Sequence, residues 1–452
     1  MSRYCVKEWR KSSLQVVKGF ALAKNVLSRE VVSTLSSASP ALRERLNKMF
    51  GTPEPEAVVA RIIGDVMARG DAAVRGYTLK IDGIKLESLA AHRDEIDAAY
   101  EIVSPDFLSA IKLAAERVRA FHQAEKDAIW NGVAGMNGTL LIRPLERVGV
   151  YIPGGTAPLP STVLMTVIPA KVAGVKEVIL TSPPQKNGRI SPHVLVAADL
   201  AGVDRIFTAG GAQAIAAMAY GTESIPRVDK ICGPGNLFVM LAKKQVFGTV
   251  AIDALQGPSE VMLIADAGAN PAICAADLLA QAEHDALSQV VLITTSEKLA
   301  DNVAVEIAKQ LETLPRGAIA GESIKDRGII AIVKTISQAI ELANLYAPEH
   351  LCLVFDDAEK YLDKIESAGC VFIGENSGEV LGDYDAGPSH ALPTGGTARF
   401  SSPLNITDFV KYMNVVAIKD KDLCRKLWGA AAVIARVEGL EGHARAADKR
   451  LE

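Results

Sequence analysis

Val148-Gly149-Val150-Tyr151-Ile152-Pro153-Gly154-Gly155 is a short apolar run that stops at a Pro/Gly turn, and a helix-length segment follows it. The same unit recurs downstream. Val178-Ile179-Leu180-Thr181 stops at Ser182-Pro183-Pro184, Arg205-Ile206-Phe207-Thr208 at Ala209-Gly210-Gly211, and Val228-Asp229-Lys230-Ile231-Cys232 at Gly233-Pro234-Gly235. Strand, glycine-rich turn, helix, repeated, reads as a doubly wound α/β layer. After Gln256-Gly257-Pro258 the pattern resumes, with strands expected at 261–265, 290–294, 329–333 and 371–373 and a helix at 271–287. The expected fold is therefore α/β: two Rossmann-like doubly wound domains, one inserted in the other, with a small N-terminal segment and a helical C-terminal tail. The expected boundaries are 1–50 for the N-terminal segment, 51–145 with 258–400 for one α/β domain, 146–257 for the insert and 401–452 for the tail.

Working outward, Val58, Val59, Ile62, Ile63, Val66 and Met67 fall on one helical face until Gly70-Asp71 interrupts it. Residues 105–128 read as a long helix carrying Leu108, Ile111, Leu113, Val118 and Phe121. Near the end, Leu423, Leu427, Ala431 and Ile434 share one face. A tail with such a stripe docks on its own body or on a partner. The first fifty residues show no clear period. A chain of 452 residues exceeds the size at which one core stops growing, so several domains are expected. Hydrophobic residues are 49% and aromatics only 5%, a composition suited to helices packed on parallel strands. Lys plus Arg is 49 against 53 Asp plus Glu, and the resulting charge of −4 argues against an extended nucleic-acid footprint. Six cysteines without a CxxC pair make neither a disulfide framework nor a thiolate zinc cluster. Residues 1–11 are charged where a secretory leader needs an apolar core, and the most apolar stretch, 163–175, is interrupted by Pro169 and Lys171. No membrane association is expected, and a cytoplasmic location is.

Four segments carry possible chemistry. In Gln281-Ala282-Glu283-His284-Asp285, on an expected helix, Gln281 and His284 share a face, and both can bind a divalent metal. Ala347-Pro348-Glu349-His350-Leu351 offers an acid/base couple. The stretch from Gly382 to Gly396 places Asp383, Asp385 and His390 in a Gly/Pro-rich loop. Glu438-Gly439-Leu440-Glu441-Gly442-His443 follows the tail helix at a glycine cap. Taken singly, three of the four are more commonly a solvated surface than a site, and the loop from Gly382 to Gly396 is as often one as the other. Yet four of the seven histidines fall in these segments. Gln281, His284, Asp383 and His443 together would form a mixed N/O site for a borderline metal such as Zn²⁺, if the fold brings them together. None of the glycine turns is GxGxxG, so a cofactor site at the strand ends is reasonable but its ligand is not derivable from spacing.

With these strings in view, the chain resembles the histidinol dehydrogenases over residues 56–445. Besides the strings above, Gly70-Asp71-Ala72-Ala73-Val74, Arg147 to Gly155, Ala209-Gly210-Gly211-Ala212-Gln213-Ala214-Ile215, Gly233-Pro234-Gly235-Asn236 and Gly257-Pro258-Ser259-Glu260-Val261 carry the resemblance. It implies one Zn²⁺ per subunit on Gln281, His284, Asp383 and His443. It implies Glu349 and His350 as the catalytic pair and NAD contacts at Tyr151, Gln213 and Asn236. It implies substrate contacts at Ser259, His390 and Glu438 besides His350 and the metal ligands. The 146–257 insert would bind NAD, and the other α/β domain would carry metal and catalytic residues. A homodimer with shared active sites is implied as well, tail residues completing the neighbour's site.

The implied reaction is two successive NAD-dependent oxidations, L-histidinol to L-histidinal to L-histidine, with His350 taking the hydroxyl proton and Glu349 activating water. Three rivals stand beside it: a paralogue oxidising another small alcohol, a zinc hydrolase using Glu349 as base, and a non-catalytic metal-binding module. Glu438 and His390, suited to the polar ends of histidinol, favour the first reading over the paralogue. The glycine turns disfavour the hydrolase, and the intact Glu–His pair disfavours the module.

Overall fold

The structure is a computed structural model that describes residues 14–29, 39–134, 139–154 and 158–452. Cys5, the charged start of the chain and Gly155 of the first turn lie outside those residues. The strands are β1 Gln15–Lys18, β2 Leu140–Pro144, β3 Arg147–Tyr151, β4 Glu177–Ser182, β5 Arg205–Thr208, β6 Lys230–Cys232, β7 Ala251–Ile252, β8 Glu260–Ala265, β9 Gln289–Thr294, β10 Ile329–Ile332, β11 His350–Val354, β12 Cys370–Ile373 and β13 Val410–Asn414. Residues 1–126 with 144–409 form one compact unit, and 127–143 with 410–452 a second.

The first unit holds two sheets. One, in the order β5-β4-β3-β6-β7, is parallel throughout and is built from a continuous stretch of chain. The other runs β1-β10-β9-β8-β11-β12, also parallel throughout. The chain starts the second sheet, leaves to make the first, and returns, so the α/β fold with an inserted sheet is present. Strand order reverses beside β3 and β6 in the inserted sheet and beside β8 and β11 in the larger one. Crevices that bind ligands form at such reversals.

The core strands read as continuous apolar runs because both faces are covered. All six residues of β8 are buried, and so are all five of β11. Helix Pro160–Ala173 is buried nearly all round, although it contains Pro169. Its apolarity belongs to a protein core, and no helix among the described residues is long and apolar enough to cross a membrane.

Packing differs from the expected grouping in two places. Helix Pro55–Asp82, kinked at Gly70, joins the core of the inserted sheet through Val58, Val59, Ile62 and Val66 rather than packing with residues 258–400. Helix Arg93–Ile102 follows it: Tyr100 donates to Asp199 of helix Pro192–Ala201 at 2.9 Å. Within the first fifty residues, the described segment 14–29 is also integral. β1 pairs with β10, and Ala23 and Leu27 of helix Phe20–Leu27 join the core beneath it. A four-residue edge strand carries too little pattern to be read from sequence.

The second unit contains the two-stranded sheet of β2 and β13 and helices Lys421–Val437 and Glu441–Asp448. The expected tail stripe is real, and it is uncovered: Leu423 is 47% and Ile434 58% exposed.

Candidate active site

A cavity of about 490 Å³ lies where the chain passes between the two sheets. Pro158 to Thr162 and Pro234 reach it from beyond the carboxyl ends of β3 and β6, the reversal point of the inserted sheet. Ser259, Glu349 and His350 reach it from the amino ends of β8 and β11. The larger sheet therefore presents its amino ends, opposite to the usual arrangement in open α/β sheets. That follows from the topology: the chain leaves β7 and enters β8 within eight residues, 252 to 260.

Glu349 and His350 are both buried, and one residue holds both. The Glu260 N–H donates to Glu349 Oε2 at 2.8 Å, and His350 Nδ1 lies 2.9 Å from the Glu260 carbonyl. A carbonyl only accepts, so Nδ1 carries a proton and Nε2 is left as the reactive nitrogen. Nε2 lies 3.5 Å from Asp383 Oδ1. Burial opposes the His350 charge, but Glu349 and Asp383 outweigh it and lift the imidazole to about 10. Burial pushes Glu349 up to about 8 against the pull of His350. Burial also acts to raise Asp383, but His350 wins and holds that carboxyl below its ordinary value.

Gln281 and His284 line the same cavity. The expected helix is shorter than its pattern suggested. It ends at Ala282, and His284 sits in the following turn, its N–H on the Gln281 carbonyl at 3.3 Å. Asp383, expected in a loop, is on the short helix Glu379–Tyr384. Gln281 is 1% exposed, and its Oε1 has no hydrogen-bond partner among the described residues. An orphaned acceptor beside an imidazole and a carboxylate suits a borderline divalent cation. No group of three His, Cys, Asp or Glu among the described residues forms a metal cluster by itself. A glutamine ligand and a residue from elsewhere would be needed.

His390 is engaged at both nitrogens. Nδ1 donates to the Asp383 carbonyl at 2.8 Å, and Nε2 accepts from Thr162 Oγ1 at 3.3 Å. Burial holds its imidazole below the ordinary value, which suits this neutral role. A substrate contact there would have to replace Thr162.

The cofactor candidates cluster at the inserted sheet. Tyr151 ends β3, and its hydroxyl accepts the Gly211 N–H at 3.2 Å. Gln213, in the first turn of helix Gly211–Tyr220, is buried, and its Oε1 has no hydrogen-bond partner among the described residues. Asn236 caps helix Leu237–Val246, accepting from Phe238 and Val239 N–H at 3.0 and 3.2 Å. Gly233 has φ 113°, and a Cβ there would run into the Tyr151 carbonyl. The glycine turn, the helix start and the buried Gln213 side-chain oxygen suit a dinucleotide.

Other groups carried no signal that single-sequence reading resolves. Lys243 is buried against Asp253 and donates to the Gly233 carbonyl at 3.0 Å, which ties down the glycine turn. Glu379 is fully buried with both carboxyl oxygens unpartnered among the described residues, and burial pushes its carboxyl well above the ordinary range. Arg29 clamps Glu260 from a segment without pattern, whereas Glu260 was visible within the 257–261 string.

Glu438 and His443 belong to the second unit. Glu438 is the C-cap of helix Lys421–Val437, and Gly439 at φ 75° turns the chain as the glycine pattern predicted. His443 is exposed on the following helix.

A family model described as histidinol dehydrogenase matches residues 47–451. The chain is 54% identical over 439 residues to the histidinol dehydrogenase of Dehalococcoides mccartyi (strain CBDB1), covering 97% of this chain and 100% of that protein. It is 48% identical over 446 residues to that of Deinococcus radiodurans, covering 97% and 100%. The crystal structure of histidinol dehydrogenase from Elizabethkingia anophelis superposes with a TM-score of 0.87 at 37% identity, covering 98% of this chain and 99% of that one.

Proposed function

The chain belongs to the histidinol dehydrogenase family, and from that premise we propose how its own residues oxidise L-histidinol to L-histidine. The observation that carries the reading is the double hold of the Glu260 main chain on Glu349 and His350 inside the cavity. His350 Nε2 takes the hydroxyl proton as the carbinol carbon gives up hydride. The aldehyde stays in the cavity, whose wall includes Pro158 to Thr162. Glu349 then takes a proton from the water that adds to the carbonyl. Burial raises its carboxyl, so its ionised form is a stronger base than an exposed carboxylate. As the water adds, His350 gives the proton it holds to the carbonyl oxygen, and in the second oxidation it takes the proton of the hydrate hydroxyl back. Ser259 at the cavity wall orients the substrate.

NAD⁺, held at Tyr151, Gln213 and Asn236, would accept hydride in each step, one molecule per oxidation. Zinc on Gln281, His284, Asp383 and a His443 would fix the amino alcohol's nitrogens and draw charge from Asp383, which otherwise keeps a proton on His350. Residues 146–257 form the NAD-binding part, and residues 258–400 carry the metal and catalytic groups. The helices between 55 and 102 pack with the insert and belong to that part. The chain acts as a homodimer in the cytoplasm, with Glu438 and His443 serving a neighbour's site.

The test is purified protein with L-histidinol and NAD⁺. Two NADH per histidine are expected, with activity lost to a strong chelator and restored by Zn²⁺ or Mn²⁺. No NADH would refute the reading. Full activity after rigorous demetallation would remove the metal from it.

A further inference from the structure

The carboxylate of Glu260 is buried beside the catalytic pair and does not line the cavity. It needs compensation there, because a lone buried charge is costly. Arg29 supplies it with a two-pronged clamp: Nη1 to Oε1 at 2.7 Å and Nη2 to Oε2 at 2.6 Å. The guanidinium is itself fixed. Its Nε donates to the Tyr346 carbonyl at 2.8 Å, and its plane lies 3.8 Å over the Tyr346 ring. Gly395 N–H closes the other side of the carboxylate at 3.2 Å, while Gly396, at φ 82°, leaves room for the Arg29 side chain. The two peptide groups flanking Glu260 Cα are those that grip Glu349 and His350. A displaced Glu260 side chain would drag both.

We propose that Arg29 is a positioning residue for the Glu349–His350 pair, acting through the Glu260 carboxylate. The inference rests on the reading of that pair as the proton-transfer groups. It gives the N-terminal segment, outside the matched residues 47–451, a part in the chemistry. Arg29 sets the imidazole's orientation and its Nδ1 proton without touching substrate.

The experiment compares Arg29→Met, Arg29→Lys and His350→Asn with the doubles Arg29→Met/His350→Asn and Arg29→Lys/His350→Asn. For Arg29→Met, kcat should fall about tenfold or more for both histidinol and histidinal while KM stays within about threefold, since small misplacement of catalytic groups costs up to about 10² in rate. Arg29→Lys should fall between, because an ammonium cannot make the two-pronged contact. In the His350→Asn background the Arg29→Met change should cost less than about twofold, because residues that act as a unit are non-additive. Selective ¹⁵N labelling of histidine should show the His350 Nδ1 signal altered in Arg29→Met.

A folded Arg29→Met protein with wild-type kcat and an unchanged His350 spectrum would overturn the proposal. So would an equal loss with and without His350. Should Arg29→Met fail to fold, Arg29→Lys and its His350→Asn double carry the same comparisons. If the wild type forms no NADH from histidinol, the functional reading falls, and the His350 spectrum alone still decides whether Arg29 sets the imidazole.

Discussion

Glu349 and His350 are neighbours in sequence and share one main-chain anchor, yet their free atoms differ. His350 offers Nε2 once Nδ1 is spent on the Glu260 carbonyl, whereas Glu349 has Oε2 on the Glu260 N–H and, among the described residues, no hydrogen bond at Oε1. The roles should separate accordingly. His350→Asn should slow both oxidations, and Glu349→Gln should slow histidinal oxidation far more than histidinol oxidation. Loss of one general base costs about 10² to 10⁴ in rate, enough to resolve by single-turnover NADH formation from each substrate. Equal slowing of both substrates by Glu349→Gln would refute the division of labour. The lining groups Gln281, His284, Asp383, His390 and Ser259 were legible because each is polar and sits in a short distinctive string. Arg29 and Glu379 were not: a buried charge is recognisable only by its burial, and burial is a property of the fold.

Among the elements, the glycine turns after β3, β5 and β6 were legible because an apolar run broken by Pro or Gly has few other readings. β11 was not, since Pro348-Glu349-His350 masks the start of its apolar run, Leu351 to Phe355, and no Gly or Pro turn closes that run. The end of helix Pro271–Ala282 was misplaced because Glu283 and His284 continue its polarity without its hydrogen bonds. One element-scale device is open to measurement. Lys243 and Asp253 are both buried and pin the Gly233 turn: Asp253 Oδ2 accepts the Gly233 N–H at 2.8 Å and Lys243 binds its carbonyl. Lys243→Met leaves a buried carboxylate unpaired, which should cost roughly 3–5 kcal/mol in denaturant unfolding. NAD⁺ affinity should fall with it, because the turn loses its anchor. The exposed pair Lys18–Glu297 is the control, and its disruption should barely register. A Lys243→Met protein as stable as wild type would show that the pair does not pin the turn.

For the whole molecule, the second unit poses the question of assembly. Leu423, Leu427 and Ile434 form the stripe that the sequence marked out, and in the single chain all three are exposed, with Val437 at 84%. An apolar face of this kind is stabilised by burial against a second copy. His443 lies on the next helix of the same unit, while Gln281, His284 and Asp383 lie in the first unit. If the tail of one chain completes the site of another, two inactive variants should complement. His443→Ala keeps a sound body with a defective tail, and His350→Asn keeps a defective body with a sound tail. Random pairing at equal amounts makes half the dimers mixed. Each mixed dimer joins one sound body to one sound tail, so about a quarter of wild-type activity should return after co-refolding. Tails that serve their own chain would return none, because every body–tail pair would then carry one lesion. Activity measured on isolated, doubly tagged heterodimers distinguishes the two outcomes without depending on mixing efficiency, and inactive heterodimers would refute the shared site.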